Sequence, residues 1–436
     1  MKISLFYLGL LLLLGCSALP SQAQRYAVQN AYSYLLDKDL PNARKSIDAA
    51  ARHPQSSKLT KTWKARITVY EQLMASKAID TDEAVDSITS SLQHWILLEK
   101  DAAERYYAAG TLFNYANGWF KVGIRKYFNH LPNRIYDSAY TCIAKAESLT
   151  RFLEPYMKEN PYYDSLLALS RIDMAFCSYR INKPVRETDS LLQLVANNPI
   201  AAIEHRFILQ ASLAHDRKDS AARYQYLQEG LALYPYSLAL INEEAIYHIQ
   251  YGVPAPFLDK LEKLVAEKPD VPDYYFLLGT CANEYLQQPE INSNDSLYKT
   301  WITKADLAYQ AAMQRDPNNA TYTYNYGVLI FNHSVHYNEQ MNELAFRILK
   351  NLQLWDELSV QRHSLEKLRN ASMMLASVQF EKSIKLMEQP TQNDDQMYCN
   401  ALRTLDRIYM LVKDYQKEQE TLQLLASFDR CVEKRD

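Results

Sequence analysis

The chain is 436 residues long and holds only 9 glycines and 16 prolines. An all-β protein of this length would need many more turn glycines, because only glycine enters left-handed turn conformations without steric cost. No GxGxxG or GxxxxGK[ST] occurs, which excludes the glycine loops that bring backbone N–H groups onto phosphates. The 6 cysteines contain no CxxC, so the clustered thiolates of a zinc site are missing. HExxH and GxSxG are absent as well, which removes the usual metalloprotease and nucleophile-elbow chemistry. There is no excess of positive charge: 48 Lys and Arg against 51 Asp and Glu give −3. Nucleic acid is therefore not an expected partner, because binding it requires a basic field. Beyond residue 23 no apolar run reaches the ~18 residues that a membrane crossing needs.

What remains is a helix-forming composition. Hydrophobic residues make up 48% of the chain, and Ala, Leu, Lys, Glu and Gln are abundant. Such residues lose little rotamer freedom in a helix. Tyrosine is the outlier, at 33. Its large apolar body and single polar tip can fill a helix seam or stack on a ligand.

The first stretch, MKISLFYLGLLLLLGCSALPSQAQ, reads as a targeting segment rather than fold. One lysine precedes an apolar run from Ile3 to Leu14, and small residues follow. Two processing routes are open. Ser21 and Ala23 sit at the small-residue positions of a signal-peptidase site, giving a leader of residues 1–23. Cys16 follows the apolar run as in a lipobox, giving a leader to residue 15 and a lipidated Cys16. Either route exports the chain, and a lipid on Cys16 would be its membrane contact. The other cysteines, Cys142, Cys177, Cys281, Cys399 and Cys431, are expected as small buried residues of helices. Cys142 and Cys177 are expected to be the only two close enough in sequence to pair from adjacent helices.

Ala211, Ala245 and Gly279 are spaced by 34 and then 34 residues. Helix ends with proline follow them, at Pro235, Pro269 and, after an insertion, Pro317. Four segments share a second spacing: Ala43, Ile47, Ala50; Ala84, Ile88, Ser91; Ala139, Ile143, Ala146; and Ala305, Tyr309, Ala312. Steps of 4 and 3 place these residues on one helical face. The small ones let a neighbouring helix approach, and the larger one fills the gap between the helices.

These residues resemble the tetratricopeptide repeat, a helix–turn–helix unit of 34 residues. The general pattern is similar to that of exported tetratricopeptide proteins of Gram-negative bacteria. The resemblance implies an all-α fold, an α-solenoid forming a right-handed superhelix of about nine repeats, with no cofactor. The repeats are expected over 25–199, in a regular core at 200–331, and in a C-terminal part with long helices at 332–436. Residues 316–331, DPNNATYTYNYGVLIF, alternate Thr and Tyr as a strand would. They are expected to be helical instead, because Pro317 closes one repeat and Asn325 and Gly327 fall at the family's first-helix positions.

The resemblance also implies a concave groove lined by positions two, five, nine and twelve of each first helix. In this sequence these are His205, Ile208, Ser212 and His215, then Ala239, Asn242, Ile246 and Ile249. The next two sets are Asp273, Phe276, Thr280 and Asn283, then Thr321, Tyr324, Val328 and Phe331. The lining is apolar and amide-bearing, which suits an extended peptide or an amphipathic helix. The family's clamp for a terminal carboxylate is not expected, because Thr68 stands where its asparagine would follow Lys64.

No catalytic or metal-binding constellation stands out. His333 and His336 lie one turn apart without a placed carboxylate, and Glu243 and Glu244 are expected on a solvated helix face. Two functions of different class remain. One is a non-enzymatic scaffold of the cell envelope that binds protein or peptide partners in the groove. The other is a glycan-binding envelope lipoprotein of the starch-utilisation type, for which the tyrosines speak and the scarcity of Trp, at 5, does not.

Overall fold

The computed structural model describes residues 26–128, 135–351, 353, 355–387, 395–428 and 431. The leader with Cys16, and residues 129–134, lie outside them. Among the described residues every regular element is helical and no strand occurs. The chain divides into two compact units, residues 1–209 and 210–436.

Numbering the helices of eight residues or more, the first unit opens with α1 (Ala27–Leu36), α2 (Leu40–Arg52), α3 (Thr60–Ala75) and α4 (Thr81–Leu98). It continues with α5 (Ala102–Phe128), α6 (Tyr136–Phe152), α7 (Tyr163–Arg180) and α8 (Val185–Gln193). The boundary falls inside α9 (Glu204–Asp216). The second unit holds α10 (Ser220–Leu233), α11 (Leu238–Tyr251), α12 (Ala255–Glu267), α13 (Pro272–Leu286) and α14 (Asp295–Arg315). It ends with α15 (Ala320–Lys350), α16 (Trp355–Leu386), α17 (Asp395–Val412) and α18 (Tyr415–Ser427). Residues 331 and 332 lie within the single helix α15.

Local sequence fixes the helix ends. Asp39, Asp80, Asp219, Ser237, Asn294, Asn319 and Asp414 each accept a hydrogen bond from a backbone N–H of the first turn that follows. These caps satisfy donors that a helix start leaves orphaned. At three hairpins the cap follows a lysine with positive φ: Lys38, Lys218 and Lys413, at 59°, 60° and 63°. A left-handed lysine ends the first helix, and the next aspartate starts the second.

Helices pack chiefly on their neighbours in sequence, as α1 on α2, α3 on α4, α5 on α6 and α15 on α16. First helices also touch the first helix of the next pair: α1 on α3, α5 on α7, α11 on α13 and α13 on α15. Repetition of these two contacts within each unit makes the chain a solenoid, in which one pair buries its apolar face against the next.

Thr321 to Tyr326 are helical, as the closing Pro317 implied. Their alternation has a structural cause. Tyr322 donates to Asp273 of α13 (2.6 Å), and Tyr326 donates to Asp306 of α14 (2.6 Å). Tyr324, on the opposite side, lies edge-on to Phe380 of α16 at 5.6 Å. Three tyrosines on one helix therefore meet three different helices.

The expectation of small buried cysteines holds for three of the five beyond the leader, and the two others pair. Cys142 and Cys177 are separate buried thiols, as is Cys281. Cys399 bonds Cys431, 32 residues away, across a Cα–Cα distance of 5.3 Å. Cys399 and Cys431 are in fact nearer in sequence than Cys142 and Cys177, 32 residues against 35, and residue 431 folds back past α18 onto α17, beside Leu402 and Phe428.

Candidate functional site

The second helices show how the site is framed. Ala43, Ile47, Ala50, Ala84, Ile88, Ser91, Ala139, Ile143, Ala146, Ala305 and Ala312 are fully buried, and Tyr309 is nearly so. Burying each isoleucine contributes about 2 kcal/mol. Opposite them, the first helices supply residues with no room for a side chain. A Cβ on Gly279 would stand 2.9 Å from the ring of Tyr309, and one on Gly327 would stand 3.1 Å from Phe380. Gly123 faces Ile143 and the Ala139 carbonyl in the same way. A close-approach residue on the first helix thus meets the aromatic or isoleucine of the second, at the spacings found in the sequence. The array is of the tetratricopeptide type.

No protein-family model and no curated protein matches the chain. Among solved structures, the C-terminal part of a TPR repeat-containing protein from Cytophaga hutchinsonii is similar at 14% identity. That match covers 74% of this chain and 99% of the other, with a TM-score of 0.42. Yeast Tom70 is similar at 13% identity, covering 91% of this chain and 99% of its own, with a TM-score of 0.29. A human IFIT1 dimer with PPP-AAAA gives 14% identity, 91% and 89% coverage and a TM-score of 0.28. The site is therefore read from this chain's own residues.

In the tetratricopeptide frame the first-helix positions fall into two groups. Asn242, Ile246, Ile249, Ala239, Thr321 and His215 are exposed. The others are engaged within the array. Asp273 accepts from Tyr322, Phe276 stacks on Tyr322 at 5.0 Å, and Thr280 meets the Tyr309 hydroxyl at 3.0 Å. Asn283 is buried and its carboxamide oxygen accepts from Asn332 at 3.2 Å. Tyr324, Val328 and Phe331 pack on a cluster from α16 and α17 that includes Phe380 and Leu405. His205 and Ser212 are half-buried, and His205 Nε2 lies 3.5 Å from the buried Asp173 carboxylate.

Glu244 departs from its expected solvated face. It is buried, and accepts from Lys260 at 2.5 Å and Gln228 at 2.8 Å. Beside it the buried Arg223 donates to Gln250 at 3.0 Å and pairs with Glu243 at 3.4 Å. Burial of an ion is tolerated only with such partners, and the partners come from three helices, beyond the reach of local sequence.

His333 and His336 sit in a seam. His336 stacks on Tyr298 with ring centres 3.7 Å apart, and His333 Nδ1 lies 3.1 Å from the Tyr298 hydroxyl. No group of three or more metal-ligating side chains occurs among the described residues. Burial, and next the neighbouring His336, push His333 down to about 4. Burial lowers His336 too. The unfolded chain then binds more protons than the folded one between the ordinary histidine value and about 4. Stability is present above about pH 6.5 and falls as pH drops through that window, by roughly 2–3 kcal/mol from His333. Urea titrations of the wild type and His333→Gln at pH 7 and 4.5 should show a steeper acid loss in the wild type. Parallel losses would refute this origin.

A surface not singled out in the sequence lies at the first two repeats. A cavity of about 1120 Å³ opens between α1, the start of α3 and the segment after α4. Tyr26, Tyr32, Leu59 and Leu98 give it apolar area, and Lys58, Lys61, Lys64 and Lys100 line it beside Glu99. Lys64 is held by Glu104 at 2.7 Å and Glu99 at 3.7 Å. The Trp95 indole and the backbone N–H of Asp101 keep the Glu99 carboxyl below its ordinary range. Thr68, which replaces the clamp asparagine, donates to the Lys64 carbonyl at 3.3 Å. The chain around Lys58 follows His53 and Pro54, so its spacing matched no motif and only packing assembles the lysines.

Proposed function

We propose that this protein is a non-enzymatic scaffold of the cell envelope that binds protein or peptide partners on the first-helix face of its repeats. The cavity at the first two repeats carries the reading. At about 1120 Å³ it exceeds the roughly 300–1,000 Å³ typical of small-molecule pockets. Its open, mixed lining suits a length of chain. Within the second unit, Asn242, Ile246 and Ile249 are exposed at first-helix positions. The leader sequence and the Cys399–Cys431 bond both support an oxidising compartment outside the cytoplasm. A lipid on Cys16 would place the protein on a membrane through its N-terminus alone. The glycan alternative gains no support from the tryptophans. Trp63, Trp95, Trp119 and Trp301 are buried, which leaves Trp355 as the exposed one.

The test is crosslinking in intact envelopes with the triple variant Asn242→Ala/Ile246→Ala/Ile249→Ala. These side chains are exposed, so the variant should unfold at the wild-type temperature. One identified partner should be captured by the wild type and reduced about tenfold or more in the variant, a loss of roughly 1.4 kcal/mol. Unchanged capture would refute this face as the binding surface.

A further inference from the structure

We infer that the cavity between α1 and the start of α3 docks an acidic, extended segment of a partner protein. This inference rests on the scaffold reading and names the chemistry of its ligand. The cavity's charged lining is four lysines and one glutamate, +4 − 1 = +3, or +2 once Glu104 on Lys64 is included, in a chain whose total is −3. The local field therefore opposes that of the whole molecule. Lys58, Lys61 and Lys100 are exposed, and no carboxylate among the described residues lies within 4 Å of their ammonium groups. Lys64, by contrast, is already neutralised by Glu99 and Glu104. Three free cations around one cavity repel one another, and carboxylates from outside relieve that repulsion.

The apolar part of the lining excludes a bare anion as the whole ligand. Tyr26 is 58% exposed and Tyr32 is 43% exposed, and Val28, Leu59 and Leu98 line the same cavity. An aliphatic or aromatic side chain of the partner would cover the tyrosines, while flanking Asp or Glu side chains meet the lysines. The cavity's size fits several residues of extended chain, which rise ~3.3 Å each, rather than a single phosphate. The recognition differs from capture of a chain terminus, because the lysine held by carboxylates is the one at the clamp position and the free lysines lie elsewhere.

The experiment uses the exported form of the full chain on a peptide array. Each heptapeptide is blocked at both ends and carries two Asp or Glu around one Leu or Phe. A matched array carries Asn and Gln instead. Acidic peptides should bind and their amide counterparts should not. Lys58→Glu/Lys61→Glu/Lys100→Glu should lose about tenfold or more in affinity, and the three Lys→Gln changes should lose less. Circular dichroism of both variants should match the wild type, since the three side chains are exposed. Equal binding of the acidic and amide arrays, or acidic binding that survives charge reversal, would overturn the inference. So would binding to anionic phosphatidylglycerol vesicles with no peptide bound, which would assign the cavity to lipid. Partner capture that survives lysine reversal and is lost in the Asn242/Ile246/Ile249 variant would sink this inference alone. Capture that survives both variants would sink the scaffold face as well.

Discussion

Replacing Gly123 by alanine should destabilise the protein, whereas the same change at Gly110 or Gly118 in the same helix should stabilise it. All three glycines lie inside α5. A Cβ at Gly110 or Gly118 meets nothing within 4 Å. There alanine removes unfolded-state freedom and should add about 0.5–1 kcal/mol. At Gly123 the Cβ would press into Ile143 Cγ1 and stand 3.0 Å from the Ala139 carbonyl oxygen. Ile143 is fully buried and the carbonyl belongs to the backbone of α6, so neither can yield cheaply. Overpacking of this kind costs about 1–3 kcal/mol, which outweighs the gain in helix propensity. Gly279→Ala should act likewise against Tyr309, whose hydroxyl is held near Thr280. Urea denaturation of the full chain gives the sign of each change. Amide exchange should locate the Gly123 loss in α5 and α6, because repeat arrays respond mainly through nearest-neighbour contacts. A stabilising Gly123→Ala would show that the two helices stand further apart than described.

Reducing the Cys399–Cys431 bond should have an effect of similar or larger size, confined to the C-terminal pair. The bond closes a loop of 32 residues that contains most of α17 and all of α18. α18 buries little of its own, with Thr421 its one buried residue. In the chain-entropy account a loop of that length is worth about 3–4 kcal/mol. Cys431→Ser should therefore free α18 to exchange its amides, while α15 and α16 stay protected. The wild type with dithiothreitol should match the variant. Cys142, Cys177 and Cys281 are buried, and burial pushes Cys177 and Cys281 up to about 12. They should resist alkylation until the chain unfolds, so mass spectrometry under native conditions should find none of the three modified. Unchanged exchange in α18 after reduction would mean that packing alone holds the terminal pair.

The helical pairs were legible in the sequence because their causes are local. Helix-forming residues, aspartate and asparagine caps, and prolines act over one or two turns. The 4 and 3 spacing of Ala305, Tyr309 and Ala312 specifies a face by itself, and the structure buries that face. The reading of Thr321–Tyr326 as helix rested on the same kind of signal.

The surface of the site was legible only in part. Positions carried over from a repeat pattern presume that every pair presents the same face. α15 and α16, at 31 and 32 residues, are longer than the pattern, and α17 packs against α16. Tyr324, Val328 and Phe331 are consequently covered, while Asn242 and Ile246 remain open. Glu244 was misplaced for a related reason: its partners Gln228 and Lys260 lie 16 residues away on either side, on other helices.

By itself, then, the sequence determined that this chain is a stack of helical pairs, and which small residues let the helices meet. Those features follow from periodicity and capping, which are properties of neighbouring residues. Only the tertiary structure decided that Cys431 reaches Cys399, that Glu244 is buried, and that Lys58, Lys61 and Lys100 surround one cavity. Each of these joins residues from separate segments, and their meeting depends on how helices of unequal length pack.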